Sequence, residues 1–290
     1  MTLGEWVTTW LELYVDPARL AESTKACYHR SARSLSASLL ATMPLEQLTA
    51  LDLRRWLLQV AKEHPRAAQL DRVMLSRCLR LAQKAGMAPP GLFDPELVPP
   101  IDHKAAKAPV LNSEQLRAYM DAAARTEAAP VLLLCCCGLR RGEAMGARWE
   151  HLDMKSSTLK VIGQRIGDRL APLKTRAAVR QLELPPVVMA AIMQQRRQLA
   201  GWVCDLSQQR VYAAHRAALA AARLPQVTLH GLRHSFATLA VMEGVPIKLV
   251  QGALGHAHFA ITADLYADHL PDVSAVSSQL FAHDWKSCVG

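Results

Sequence analysis

The spacing of apolar residues predicts a mostly helical chain. From about Asp71 to Ala85 the apolar side chains recur every three or four positions, as they do on the buried face of a helix. That face is formed by Met74, Leu75, Cys78 and Leu81. An earlier helix is predicted from Thr24 to about Leu39, with Ser23 as its N-cap. The whole stretch before Pro89 predicts four or five helices.

A proline-rich stretch separates this part of the chain from the rest. The segment from Pro89 to Val110 has no sustained helical period, and closely spaced prolines disfavour both helices and central strands. We therefore expect a helical domain over residues 1–100, a linker over residues 101–110 and a second domain over residues 111–290.

The second domain combines helical and strand-like patterns. A helix is predicted to be capped near Asn112 or Ser113, and an apolar helix runs from Pro130 to Gly138. Strand-like segments are Thr158–Ile162, Arg169–Leu173 and Arg180–Leu184. The last two are predicted to form a hairpin around Lys174. The expected fold is mainly α with a small antiparallel β-sheet, a helical domain followed by a mixed α+β domain.

Composition adds a class of partner to this picture. The chain of 290 residues is 51% hydrophobic and 20% charged, as soluble globular proteins are, and its net charge of +9 suits a polyanion such as nucleic acid. No apolar run approaches the roughly 20 residues that a membrane span needs. The first residues lack a basic start followed by an apolar core, so no signal peptide is expected. The seven cysteines include no CxxC pair, which favours reduced thiols in a cytoplasmic protein.

Two basic stripes in the helical domain are candidate contacts for the nucleic-acid backbone. Helical spacing places each stripe on one face of its helix: Lys25, His29 and Arg33 on the first, and Arg77, Arg80 and Lys84 on the second. Either stripe alone is better explained as a solvated helix face. Two of them in one small basic domain favour contact with DNA phosphates.

Four segments of the second domain carry candidate chemistry. They are CGLRRGEAMGARWEHLD at 137–153, PLKTRAAVRQLELPP at 172–186, LHGLRHSFATLAV at 229–241 and ALGHAHFAITADLYADHL at 253–270. Together they supply Arg140, Lys174, His230, Arg233, His256 and Tyr266. Each of these residues alone has an ordinary structural explanation, and only the set is informative.

The set matches what phosphodiester transfer without a metal ion requires. Two guanidinium groups bind the non-bridging oxygens and stay charged at any working pH. An imidazole near a hydroxyl nucleophile assists its deprotonation, and a lysine supplies a proton to the leaving alkoxide. A phenol nucleophile conserves the energy of the broken bond as a phosphotyrosine, so the strand is rejoined without ATP.

At these four segments the chain resembles the tyrosine recombinase, or phage integrase, family. GLRRGE followed by WEHLD resembles the family's first arginine box, HGLRH its His-x-x-Arg box, and PLKTRAAVR the hairpin that carries its lysine. LGH followed ten residues later by tyrosine resembles the final box, where an interval of nine is frequent. The resemblance is weaker over residues 1–105, which look like the helical core-binding domain. No arm-binding domain is expected before them.

The resemblance implies a role for each residue of the set. Arg140 and Arg233 would hold the scissile phosphate, His230 would act as general base, and His256 would donate a hydrogen bond to a phosphate oxygen. Glu143 would support the first arginine box structurally.

The two remaining residues would make and break the bonds to phosphorus. Tyr266 would attack the scissile phosphate and hold the resulting 3′-phosphate, while Lys174 would protonate the leaving 5′-oxygen. The resemblance implies no cofactor and no metal.

The implied partners are double-stranded DNA with specific recombination sites and three further copies of the chain. The homotetramer would assemble on two duplexes by exchanging a helix over residues 272–285, and an accessory directionality factor is a further candidate partner. Integration and excision of a phage or other mobile element is the first expected task. Xer-like resolution of chromosome dimers and DNA inversion or cassette exchange are the alternatives.

Three other functions are weighed against recombination. A type IB topoisomerase uses similar chemistry, and an inactive DNA-binding protein would keep the basic faces but lose part of the catalytic set. A zinc hydrolase would use His230 and His234, which are one helical turn apart. No glutamate of the HExxH type lies between them, however, and Arg233 would repel the cation.

Overall fold

The structure of the protein is a computed structural model that describes residues 1–102, 109–173, 175, 178–196 and 200–255. The chain divides into two compact units, Met1–Ala106 and Lys107–Gly290. Within the described residues both units are mainly helical, and the strands lie in the second unit, where they are antiparallel. The predicted fold class is confirmed.

The first unit is built from four α-helices in its described part. They are α1 (Leu3–Trp10), α2 (Glu22–Ser36), α3 (Ala50–Glu63) and α4 (Pro65–Lys84). A π-helical turn (Leu11–Val15) extends α1, and two short 3₁₀ turns (Leu39–Thr42 and Leu45–Gln47) connect α2 to α3. Threonines at the N-caps of α1 and α3 form capping boxes, which satisfy backbone donors that the first turn of a helix leaves unpaired.

The core of the first unit lies on the predicted apolar face of α4. Met74, Leu75 and Cys78 are fully buried, and Leu81 packs partly buried at the edge. The indole Nε1 of Trp6 donates a hydrogen bond to the carbonyl oxygen of Cys78 at 3.1 Å, which ties α1 to the middle of α4.

Two helix boundaries in this unit differ from the prediction. Helix α2 begins at Glu22 with Ala21 as its N-cap, so Ser23 lies inside the first turn, and the helix ends at Ser36. Helix α4 begins at Pro65, six residues before Asp71. Proline is well suited to the first turn because its missing N–H has no intrahelical partner there. The apolar pattern alone does not reveal this first turn, because it carries no large apolar side chain.

The second unit contains seven α-helices in its described part. They are α5 (Ser113–Ala123), α6 (Ala129–Cys136), α7 (Arg141–Met145), α8 (Pro186–Gln194), α9 (Gln208–Ala221), α10 (Leu229–Met242) and α11 (Ile247–Leu254). Every residue of α6 is buried, and this helix packs against α5, α7, α8 and α10. The predicted apolar helix is therefore the centre of the unit, and the predicted cap of α5 is Asn112.

The strands form two small antiparallel sheets. They are β1 (Leu152–Asp153), β2 (Thr158–Val161), β3 (Gly163–Ile166), β4 (Arg169–Pro172) and β5 (Arg180–Glu183). The first sheet has the order β1-β2-β5, and the second is the β3–β4 hairpin. The predicted pairing of the two strands around Lys174 is wrong, because β4 pairs with β3 and β5 pairs with β2. Glycine at position 167, with φ +58°, makes the tight turn that closes β3 onto β4.

Two predicted absences concern membranes and disulfides. In the part of the chain that the structure describes, none of the helices has the length and apolarity needed to span a bilayer. The described cysteines are all free thiols, and burial raises the pKa of the Cys135 and Cys137 thiols to about 12.

Candidate active site

The first arginine box is a sharp turn between α6 and α7. Gly138 follows α6 with φ +86°, a conformation that side chains disfavour, and a Cβ there would lie 2.8 Å from the Phe236 ring. The turn places Arg140 at the N-cap of α7, where its backbone N–H donates to Oε2 of Glu143 at 3.0 Å. The sequence GLRRGE thus folds so that the Glu143 carboxylate contacts the backbone of Arg140.

Two further glycines let α7 lie directly on strand β3. A Cβ at Gly146 would be 2.8 Å from the backbone nitrogen of Arg165, and one at Gly142 would be 3.3 Å from Cβ of Gln164. Backbone atoms cannot yield as a flexible side chain does, so Gly146 is needed for this close approach. The first arginine box is thereby fixed against the β3–β4 hairpin.

The His-x-x-Arg box forms the start of α10. Thr228 caps this helix by accepting a hydrogen bond from the backbone N–H of Gly231 at 2.9 Å. His230 therefore lies in the first turn at the surface, and Arg233 lies one turn further on, where only 1% of it is exposed. Ser235 accepts from the backbone N–H of Leu111 at 2.8 Å, which joins α10 to the start of the second unit.

A buried histidine supports the residues just before this cap. Nε2 of His215 lies 2.8 Å from the carbonyl oxygen of Val227, and its Nδ1 lies 2.7 Å from the hydroxyl of Tyr119. A carbonyl oxygen only accepts, so we assign the proton to Nε2, and Nδ1 then accepts from the tyrosine hydroxyl. Burial lowers the pKa of His215, which favours this neutral form.

Glu143 connects three arginines from three different segments. Its Oε1 accepts from Nη1 of Arg140 at 2.8 Å, and its Oε2 accepts from Nη2 of Arg180 at 2.9 Å. Nη1 of Arg233 lies 3.8 Å from Oε2, within ion-pair distance. We call these four residues the arginine–glutamate cluster. The side chains of Glu143, Arg180 and Arg233 are each less than one tenth exposed, so their charges are held out of water.

The charge state of Glu143 follows from its partners. Burial alone would raise the pKa of its carboxyl group, because an isolated charge loses hydration inside a protein. The hydrogen bond and positive charge of Arg180, together with the two hydrogen bonds from Arg140, outweigh that effect and lower the pKa. Glu143 is therefore an anion at neutral pH.

The two predicted phosphate-binding arginines differ in their exposure. The side chain of Arg140 is 40% exposed, whereas that of Arg233 is 2% exposed. Nη1 of Arg233 donates to the carbonyl oxygen of Gly138 at 2.7 Å, and Nη2 donates to that of Leu254 at 2.8 Å. Arg233 thus joins the turn of the first arginine box to the end of α11, while Arg140 presents its charge at the surface.

His230 is held in its neutral form by its surroundings. Its pKa is lowered from 6.5 to about 4, and loss of hydration around the ring is the largest cause. The charges of Arg233 and Arg140 lower it further, as does His234, whose ring meets that of His230 edge-on with centroids 4.3 Å apart. A neutral imidazole has one unprotonated ring nitrogen, which can accept a hydrogen bond at neutral pH.

The structure brings three of the six predicted catalytic residues into one region. Arg140 and Arg233 share Glu143, and the charges of both act on His230. The other three, Lys174, His256 and Tyr266, lie outside the described residues, as does the predicted exchange helix at 272–285. Metal-binding groups of three or more His, Cys, Asp or Glu are absent from the described part.

The predicted DNA-contacting residues lie on α2 and α4 of the first unit. On α2, Lys25 donates to the backbone carbonyl of Asp16 at 2.7 Å, and His29 lies 2.8 Å from the Asp16 carboxylate. Arg33 is exposed.

The stripe on α4 is less occupied by acidic groups. Arg77 donates to the hydroxyl of Tyr28 at 2.7 Å, and this neutral partner does not cancel the charge of the guanidinium group. Arg80 and Lys84 are exposed.

Sequence reasoning missed Arg180 as a member of the site. It begins β5 in the segment AAVRQLEL, where alternation marked only a strand. An arginine at an inward-facing strand position is a signal of a buried ionic partner, since arginine is rarely buried unpaired. The partner, Glu143, is 37 residues away in sequence, so the pairing itself is not readable from the pattern.

The chain is similar in sequence to recombinases of known families. Residues 109–272 match the phage integrase family. The prophage integrase IntF of Escherichia coli is 29% identical over 266 residues, which cover 86% of this chain and 55% of IntF. Tyrosine recombinase XerC of Agrobacterium fabrum is 29% identical over 280 residues, which cover 88% of this chain and 86% of XerC. The chain thus spans about half of IntF.

Solved structures share the fold at low sequence identity. The Tn1549 transposon integrase in complex with circular intermediate DNA superposes with a TM-score of 0.77 at 18% identity, covering 97% of this chain and 99% of that one. A lambda integrase dimer bound to a core site gives 0.70 at 18% identity, covering 94% and 98%. The family match extends over more than half of the residues and includes both arginine boxes, so this chain belongs to the phage integrase family of tyrosine recombinases.

Proposed function

We propose that this chain cleaves and rejoins DNA strands at specific sites through a covalent bond to Tyr266. The observation that carries the proposal is the arginine–glutamate cluster, which holds two arginines of the family's boxes beside a neutral histidine. The matched family region, residues 109–272, also contains Lys174, His256 and Tyr266.

The proposed reaction exchanges one phosphodiester bond for another. The phenol oxygen of Tyr266 attacks the scissile phosphorus and loses its proton to His230, while the bond from phosphorus to the 5′-oxygen breaks. Lys174 gives that oxygen a proton, and the 3′-phosphate stays on Tyr266. The 5′-hydroxyl of a second strand then attacks the phosphotyrosine and releases the enzyme. No phosphate bond energy is lost, so no nucleotide is consumed.

Arg140 and Arg233 have different parts in this proposal. Arg140 is exposed enough to reach a non-bridging oxygen directly. Arg233 is buried, its donors are engaged by two carbonyls, and its charge adds to the positive potential of the site. Preorganised positive charge in a site with little water is typically worth about 3–4 kcal/mol of barrier for each donor.

DNA is the proposed partner of both units, and a tetramer on two duplexes is the proposed assembly. A lambda integrase tetramer bound to a Holliday junction shares the fold, with a TM-score of 0.69. Exchange of residues 272–285 between copies, and an accessory directionality factor, belong to this proposal. The proposed substrate is DNA of the chromosome or of a mobile element, so the proposed location of the protein is the cytoplasm.

The biological task that we propose is integration and excision of a mobile element. Similarity to a prophage integrase supports it, and the equal identity to XerC supports resolution of chromosome dimers as the second candidate. Sequencing of circular junctions in the host separates the two. Junctions that join the ends of an element indicate excision, whereas a site near the replication terminus indicates dimer resolution.

We expect Tyr266→Phe to abolish covalent adducts with a nicked DNA substrate while leaving DNA binding within about twofold, because the change removes one oxygen. Adducts are read on a denaturing gel and mapped by peptide sequencing, with and without EDTA, and the wild-type protein should react equally in both. Tyr14→Phe, which alters an exposed tyrosine of the first unit, is the matched control and should react normally. Adducts on Tyr28 or Tyr212, or adducts formed by Tyr266→Phe, would falsify the assignment.

We expect His230 to have a pKa of about 4 in the free protein and a higher pKa when DNA is bound. A phosphate near the ring favours the imidazolium ion and therefore raises the pKa. NMR of the histidine ring signals measures both values, and His230→Gln identifies the signal. A free-protein pKa near the ordinary 6.5, or a fall on DNA binding, would contradict the placement of His230 beside Arg140 and Arg233.

We expect the combined variant Arg77→Ala, Arg80→Ala, Lys84→Ala to flatten the salt dependence of DNA binding. Each lost phosphate contact should reduce the slope of log K against log salt by about 0.9. The control is Lys25→Ala with His29→Ala, which alters two side chains that already contact Asp16.

The control variant should change the slope less than the α4 variant does. Equal slopes for the α4 variant and the wild-type protein would mean that the α4 stripe is only a solvated face.

A further inference from the structure

Arg180 makes contacts in three directions from a buried position. Its side chain is 7% exposed. Nη2 donates to Oε2 of Glu143 at 2.9 Å, Nε donates to the carbonyl oxygen of Ala253 at 2.6 Å, and Nη1 donates to that of Ala178 at 2.9 Å. One guanidinium group therefore links β5, α7 and the end of α11.

The end of α11 is a place where such donors are needed. The last carbonyls of a helix have no intrahelical partner and carry partial negative charge. Arg180 satisfies the carbonyl of Ala253, and Arg233 satisfies that of Leu254. Two cations that are both tied to Glu143 thus hold adjacent carbonyls of the same helix end.

Gly255, the residue after α11, lies against the side chain of Arg180. Its φ is +66°, and a Cβ there would lie 3.0 Å from Nη1 of Arg180 and 3.0 Å from Cα of Ala178. The backbone leaves α11 in close contact with the Arg180 guanidinium. The backbone conformation at Gly255, the last residue before His256, therefore depends on contact with Arg180 and Ala178.

We propose that Arg180 is a positioning residue that fixes the end of α11, and with it the start of the segment leading to Tyr266, relative to Arg140. The proposal rests on the proposed function, because it assumes that Tyr266 is the nucleophile. Arg180 acts through Glu143 on one side and through the carbonyl of Ala253 on the other. If either connection is lost, the position of the segment that leads to Tyr266 is no longer fixed relative to Arg140.

The competing explanation is that Arg180 only neutralises the buried charge of Glu143. Lysine separates the two roles. An ammonium group supplies the same charge beside Glu143, but it is compact and lacks the planar fork that reaches three acceptors in fixed directions. Arg180→Lys therefore keeps the charge and loses the link to the carbonyls of Ala253 and Ala178.

The first measurement is amide hydrogen exchange in the free protein, which needs no DNA. In Arg180→Lys we expect peptides that cover the last turn of α11 to exchange about tenfold faster, because a charged hydrogen bond of that turn is lost. Peptides from α9 should exchange as in the wild-type protein. Arg117→Gln, which alters an exposed arginine of α5, is the control and should change neither region.

The second measurement is single-turnover adduct formation on the nicked duplex that the wild-type protein cleaves. We expect Arg180→Lys to bind this DNA with unchanged affinity and to cleave it about 10- to 100-fold more slowly, which is the size expected when a reacting group is misplaced. Arg180→Gln should cleave as slowly and also be less stable, since Glu143 then loses the better buried of its two hydrogen-bonded cations.

Two outcomes overturn the proposal. If Arg180→Lys exchanges in α11 and cleaves DNA as the wild-type protein does, Arg180 only neutralises the charge of Glu143. If exchange in α9 rises as much as in α11, the residue has a general structural role. A wild-type protein that forms no adduct refutes the proposed function instead, and the exchange measurement still decides whether Arg180 holds the end of α11.

Discussion

The rest of the site depends on the contacts between the buried carboxylate of Glu143 and three arginines. Arg140, Arg180 and Arg233 come from distant parts of the sequence, and two of their side chains are almost completely buried. Cations brought together in a region of low dielectric constant repel one another and lose hydration. Glu143 offsets both costs because its two oxygens face all three guanidinium groups.

The same contact organises the backbone around it. Glu143 holds the N–H of Arg140 at the start of α7, and Arg233 holds the carbonyl of Gly138 in the turn before it. Through Arg180 and Arg233 the cluster also reaches the last carbonyls of α11. A turn, a strand and two helix ends are thereby fixed to one charge. Such rigidity is what catalysis by preorganised charge requires, because the site does not have to rearrange when charge develops on the phosphate.

The sequence predicted the parts of this protein that local patterns determine. The apolar face of α4 and the apolar helix α6 follow from helical spacing and from the flanking proline and glycine, and both are present in the structure. Residue motifs also identified Arg140, His230 and Arg233, which the structure places together. Their catalytic roles are still predictions.

Long-range pairing could not be read from the same patterns. Nothing local shows that β5 pairs with β2. Arg180 was missed for the same reason, since its partner Glu143 belongs to another motif. The Gly167–Asp168 loop between β3 and β4, in contrast, is a local hairpin signal that the prediction overlooked. The first turn of α4 was missed because its proline, arginine and alanines add no large apolar side chain to the helical pattern.

The most direct test of the account is the stability of the second unit in Glu143→Gln. Glu143→Gln removes the carboxylate that faces the buried charges of Arg180 and Arg233. The free energy of opening α6, read by native-state hydrogen exchange, should therefore fall by about 3–5 kcal/mol at pH 7. Because the folded-state pKa of Glu143 is lowered, the difference from the wild-type protein should be fully present above the ordinary carboxyl pKa of about 4.3 and shrink as the pH falls through the folded value. Glu114→Gln, on the exposed first turn of α5, should change little. A loss below about 1 kcal/mol, the size typical of exposed pairs, would contradict the central place given to Glu143.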